Sequence, residues 1–138
     1  MKIFIDTNIP MYAAGKEHHL KSGCVKILDA AASGELEAFT DSEVFQEILY
    51  RYYHIDQIDI GFQVFDLFST IMNGNVLPVK YQDVNQARLL AESELAAGLS
   101  PRDLIHLAVM LNNGIDTIAT TDRAFSSIDA IKVYAPLK

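Results

Sequence analysis

A chain of 138 residues, half of them apolar, is the size of one ordinary domain and can close a core without disulfide or metal staples. Eleven Lys and Arg against eighteen Asp and Glu give a formal charge of −7, which excludes holding nucleic acid by a general basic surface unless carboxylate-bound divalent cations locally reverse the field seen by a phosphate. A single cysteine, Cys24, with no Cys/His cluster excludes a disulfide scaffold and structural zinc, and no segment reaches the roughly 20 apolar residues of a membrane span, so one soluble, cytoplasmic domain over residues 1–138 is expected.

Lys2 to Ile5 reads as a short buried strand, and Pro10 sits where a helical turn can begin because its missing N–H costs nothing there. Leu20, Cys24, Ile27, Leu28 and Ala31 follow helical spacing, and Ser33-Gly34 supplies the stop. Leu36 to Phe39 is a brief strand. Thr40-Asp41-Ser42-Glu43 has the form of a capping box, with Thr40 at the N-cap, opening a helix whose apolar face is Val44, Phe45, Ile48, Leu49 and Tyr52. A further helix runs from about Asp59 to Met72 and ends at Asn73-Gly74. Val76 to Val79 is a strand that Pro78 confines to an edge. Asp83 to Ala97 is helical with Gly98 as its stop, and Ser100-Pro101-Arg102-Asp103 begins another helix that Asn113-Gly114 closes. Asp116 to Thr120 is a strand, Thr121 to Phe125 a turn into a short helix, and Ile131 to Tyr134 the last strand. Strands alternating with helices imply an α/β fold with a parallel sheet covered on both faces, and such sheets gather ligands at the carboxyl ends of their strands.

That rule gives meaning to Asp6, which closes a buried strand and needs partners there, and to Asp122, which follows a later strand to the same edge. Asp103 lies in the first turn of its helix, where an anion is favoured. A fourth acid must come from the helix after Thr40. At about 100° per residue, Glu47 lies roughly 130° from the centre of the apolar face and Glu43 roughly 170°, so Glu47 is nearer the core boundary and is the choice. Each acid alone has an ordinary structural explanation, Asp103 and Asp122 as caps and Glu47 as a solvated helix residue; the set carries the chemical reading.

Ile5-Asp6-Thr7-Asn8, Ser42 with Glu47 five residues on, "GLSPRDLIHLAVM" around Asp103 and "TIATTDRAF" around Asp122 resemble, in order and spacing over nearly the whole chain, the PIN domain and in particular its VapC-type toxin branch. The resemblance implies a three-layer α/β/α fold with a central parallel sheet of about four or five strands. It also implies Mg2+- or Mn2+-dependent endonucleolytic cleavage of RNA by in-line hydrolysis, leaving a 5'-phosphate and a 3'-hydroxyl. Carried over by position, Asp6, Glu47, Asp103 and Asp122 are the metal-site acids, and Asn8 and Thr120 orient them. Thr121 departs from the Asn that relatives often carry, which touches only the hydrogen bonding behind the acids. A homodimer and a small antitoxin partner, as found among relatives, are expected too. Oxygen donors suit both cations, and four converging carboxylates repel one another until a cation neutralises them.

Arg51, one turn beyond Glu47, and Arg102 and Arg123, each beside a proposed metal acid, are candidates for phosphate contact, against the alternative of solvated ion pairs. His18-His19 reads as polar loop, and His106, in a mostly buried helix, as a core histidine rather than a ligand or base. The aromatic run from Phe45 through Tyr50, Tyr52, Tyr53, Phe62, Phe65 and Phe68 exceeds what one helix pair must bury and suggests a subunit interface beside the core. Competing functions are an RNA-processing nuclease without antitoxin, a catalytically silent interaction module, and a phosphoryl-transfer domain with Asp6 as nucleophile. The last would want a second Asp where Asn8 stands.

Overall fold

The strand that opens the chain is the centre of the sheet. The computed structural model describes residues 2–93, 96 and 98–136. In it β1 (Lys2–Ile5), β2 (Glu37–Asp41), β3 (Val76–Leu77), β4 (Thr117–Ala119) and β5 (Lys132–Tyr134) form one sheet in the order β3-β2-β1-β4-β5. All four pairings are parallel, with Phe4 opposite Phe39 on one side and opposite Ile118 on the other. Ile3, Phe4 and Ile5 are wholly buried, as a central strand covered on both faces requires, and each side chain stabilises the fold by about 1.5–3 kcal/mol.

Six helices supply the layers: α1 (Asn8–Ala14), α2 (Lys21–Ser33), α3 (Ser42–His54), α4 (Ile58–Met72), α5 (Tyr81–Ala91) and α6 (Pro101–Asn112). Right-handed crossovers assign α1 to α4 to one face and α5 and α6 to the other. Packing agrees: α1 lies on α2, α3 on α4, and α5 on α6. Between α3 and α4 the approach is set by Gly61, where a Cβ would stand 2.6 Å from Tyr52 Cβ. Strands are added outward in one direction from β1 to β3 and in the opposite direction from β4 to β5, so the crevice outside the carboxyl ends of β1 and β4 is a topological switch point.

The α/β fold and its five-stranded parallel sheet match the sequence reading, and several boundaries do not. Thr40 is not the N-cap of α3. It stays in β2, donating its hydroxyl to the Ile5 carbonyl at 2.9 Å, and Asp41 takes the cap, accepting from Val44 N at 2.9 Å. A β-branched residue is at home in a strand, so the sheet keeps it and the helix begins one residue later. Helix α5 starts before Asp83, which reaches back to accept from Lys80 N at 2.8 Å. It ends at Ala91; of the helix expected to reach Ala97, Glu94, Leu95 and Ala97 lie outside the described residues. Pro78 cuts β3 to two residues at the sheet edge, as its missing N–H dictates.

Candidate active site

Asp6 is the first residue past β1, and its backbone N–H still donates to Ala119 O of β4 at 3.0 Å. Its carboxylate is therefore fixed at the seam between the two central strands. Oδ1 accepts from Thr7 N at 2.8 Å; Oδ2 accepts from the Thr120 hydroxyl at 2.7 Å and from Asn8 Nδ2 at 3.3 Å. Thr120 in turn accepts from Asn8 Nδ2 and from Asp122 N, and Asn8 Oδ1 accepts from Thr121 N. Asn8 and Thr120 thus hold Asp6 against the turn that carries Asp122. The substitution at Thr121 changes little in this web, because its backbone makes the bond.

Glu47 comes from α3 and is buried, while Glu43, one turn earlier, is partly exposed beside Arg102 at 3.8 Å. Glu47 is thus the more buried of the two, as the helix angles suggest. Glu47 accepts from the Thr7 hydroxyl at 2.9 Å and from Arg51 Nε at 2.8 Å. Asp103 occupies the first turn of α6, which Ser100 caps by accepting from Asp103 N at 3.2 Å, with Pro101 at the first helical position. Asp122 caps the 3₁₀ turn Arg123–Ser127 by accepting from Ala124 N at 2.9 Å with one oxygen. Asp6, Glu47, Asp103 and Asp122 line one cavity of about 340 Å³, together with Thr7, Asn8, Ser100, Arg51 and Arg102. Arg123 is exposed and is not among the described residues that line it.

Proton affinities record the crowding. Burial above all pushes Asp6 above the ordinary carboxylate range, and Glu47 adds to it. Burial, then the charge of Asp6, raises Asp103 to about 6. Glu47 goes the other way: burial works against its charge, but the facing His106 ring, Thr7 and Arg51 outweigh that and hold it at about 2.

His106 is buried, as expected of a core histidine, but it is also part of this site. Its Nδ1 lies 2.8 Å from Asp41 Oδ2, and its Nε2 faces Asp6 Oδ1 at 3.9 Å and Glu47 Oε1 at 3.8 Å, beyond hydrogen-bond reach. Burial opposes its charge, yet Asp41, Glu47 and Asp6 push its pKa up to about 10. Asp41 and Thr7 escape the sequence reading, and His106 is weighed there as a ligand or base and set aside for a core residue, although two signals are present. Asp41 ends β2 just as Asp6 follows β1, and His106 lies one turn after Asp103 on the same helix. His18 and His19 are loop residues whose tilted rings have centroids 4.2 Å apart. Of the aromatic run, Phe45, Tyr52 and Phe68 are core, whereas Tyr50, Tyr53 and Phe62 are exposed.

The donor set fits a divalent cation. Four carboxylates converge, two with raised proton affinity, and Asp6, Asp103 and His106 each offer a donor atom within 4.8 Å of the others. A parallel sheet in this strand order, with acids delivered to its carboxyl edge from β1, α3, α6 and the turn after β4, defines the class: the chain belongs to the PIN-domain family, whose profile matches residues 3–131. Its curated relatives include VapC ribonuclease Mb1869c of Mycobacterium bovis and ribonuclease VapC13 of Mycobacterium tuberculosis. Each is 38% identical over 135 residues, covering 96% of this chain and 99% of the relative. In the crystal structure of VapBC2 from Rickettsia felis bound to a DNA fragment from their promoter, a chain matches with a TM-score of 0.76 over 98% of both chains. Its identity is 17%, a likeness of fold.

Proposed function

We propose that this protein is an endoribonuclease of the VapC type, hydrolysing RNA phosphodiesters with Mg2+ or Mn2+ at Asp6, Glu47, Asp103 and Asp122, and that it is the toxin of a toxin–antitoxin pair. The observation that carries this reading is the convergence of four carboxylates from four distant segments in one cavity, two of them with raised proton affinity. Naming of the 38%-identical relatives as ribonucleases supports the substrate. When bound, the cation acidifies water and offsets phosphate charge, which a chain of net charge −7 otherwise lacks the means to do. Asp6, pinned by Thr7, Asn8 and Thr120, is a rigid donor. Asp103, half-buried, stands nearer solvent. Arg51 keeps half its side chain exposed while anchored on Glu47, and Arg102 stands at the same mouth; both are proposed to contact the RNA backbone.

The reading extends to partners. A small antitoxin protein is the proposed inhibitor, supported by a toxin–antitoxin complex from Klebsiella pneumoniae among the fold relatives. Exposed Tyr50, Tyr53 and Phe62 on α3 and α4 support a homodimer, checked by light scattering. Among the described residues no helix is long and apolar enough to cross a membrane. The proposed place of action is the cytoplasm, where the RNA is. The deciding experiment is cleavage of a panel of structured and single-stranded RNAs with added Mg2+ or Mn2+, comparing the protein with Asp6→Asn and Asp103→Asn. Metal-dependent cutting lost in both variants is expected; equal activity in all three refutes the assignment.

A further inference from the structure

His106 is held in an arrangement that its burial alone does not require. It lies at the middle of α6, three residues after Asp103, with no exposed surface. Asp41, equally buried, fixes the ring from behind: one carboxylate oxygen is committed to Val44 N at the cap of α3, and the other lies 2.8 Å from His106 Nδ1. Phe4 packs against the imidazole with centroids 5.4 Å apart, walling it with hydrocarbon. Only Nε2 is left over. Among the described residues it is the buried side-chain nitrogen or oxygen with no hydrogen-bond partner, and it is aimed between Asp6 Oδ1 and Glu47 Oε1. An orphaned buried nitrogen is costly, and its persistence asks what it serves to bind.

We propose that His106 Nε2 is itself a metal ligand, so that the centre takes its cation on Asp6, Asp103 and an imidazole nitrogen and prefers a first-row transition metal to Mg2+. The proposal rests on reading the acidic cavity as a metal centre. Three observations support it. Asp6, Asp103 and His106 offer donor atoms within 4.8 Å of one another, close to the span of about 4.2 Å that two bonds of about 2.1 Å allow. Asp41 on the far ring nitrogen makes the carboxylate–histidine pair that fixes tautomer and orientation in ligating histidines. Imidazole suits the later divalent metals, whereas Mg2+ is served by oxygen alone.

The test uses Mn2+ as probe and electron spin-echo spectroscopy of the full-length protein, prepared with 14N- or 15N-histidine. The expected result is a histidine-nitrogen coupling that changes with the isotope, disappears in His106→Gln, and persists in His54→Gln and in the His18→Gln/His19→Gln double variant. With four histidines in the chain, the latter two variants assign the ligand by elimination even if His106→Gln fails to fold. In competition experiments, His106→Gln lowers Mn2+ affinity at least tenfold while Mg2+ affinity changes less than twofold. Stoichiometric Mn2+ binding with no nitrogen coupling overturns the proposal and leaves the acidic metal centre intact, with His106 a buried counter-cation. Absence of Mn2+ binding overturns both.

Discussion

Lowering the pH from 7 to 5 discharges one of the proposed metal-site acids without touching the fold's covalent structure. With its pKa at about 6, Asp103 is about 90% ionised at pH 7 and about 10% at pH 5. A cation that needs the carboxylate must displace that proton, so Mn2+ affinity is expected to fall about tenfold over this interval, with Asp6 steepening the loss. Calorimetric titration with Mn2+ at pH 5, 6 and 7 measures it, and Asp103→Asn should weaken binding and flatten most of the dependence. Stability of the metal-free protein runs the other way. The folded pKa of Asp103 lies above its unfolded value of 3.8, so stability is lost as pH rises from there through 6. His106, raised from 6.5 to about 10, contributes stability that is full below 6.5 and declines as pH rises toward 10. Glu47, lowered to about 2, contributes stability that is lost only as pH falls below about 4.5, outside this window. Between pH 5 and 7 the Asp103 proton, kept by the fold and already lost by the unfolded chain, accounts for about 1.4 kcal/mol, or roughly 0.7 after halving for exposure, which is a melting temperature about 2 °C lower at pH 7. Metal affinity that changes less than twofold between pH 5 and 7 would refute the placement of Asp103 in the coordination set.

Gly61→Ala puts a methyl 2.6 Å from Tyr52 Cβ and should cost about 1–3 kcal/mol in urea denaturation; unchanged stability would mean that the α3–α4 spacing is not fixed there. Asp41→Asn keeps an acceptor for Val44 N but removes the charge facing buried His106, with an expected loss of about 3 kcal/mol by the same assay. Arg51→Ala should reduce kcat/KM for RNA about tenfold through a lost charge-assisted phosphate contact, whereas Arg123→Ala, exposed outside the cavity, should leave it unchanged within twofold.

Local rules make much of this molecule legible. The ligand rule for parallel sheets points to Asp6 and Asp122, helix angles separate Glu47 from Glu43, and the Ser100-Pro101 signal sets the start of α6 and so the position of Asp103. What stays hidden depends on distant partners. Periodicity reports that His106 is buried but not that Asp41, 65 residues away, grips one side of its ring while the acids face the other. The start of α3 differs by one residue from its sequence reading because Thr40 and Asp41 are both good caps, and only the sheet decides between them. Arg123 adjoins Asp122 in sequence yet stands outside the cavity, since a 3₁₀ turn sends neighbouring side chains in different directions.

The tripeptide Asp6-Thr7-Asn8 also sets when in the life of the chain the centre can exist. Thr7 closes on Glu47, 40 residues later, while Asp6 and Asn8 close on Thr120, 114 and 112 residues later. The bonds that aim the first acid are thus among the longest-range hydrogen bonds of the described residues, and they need a segment synthesised more than a hundred residues later. A nascent chain, or one clipped before Thr120, lacks both Asp122 and the hydroxyl that holds Asp6. The geometry of the first acid is thereby a property of the folded whole and not of the segment that carries it.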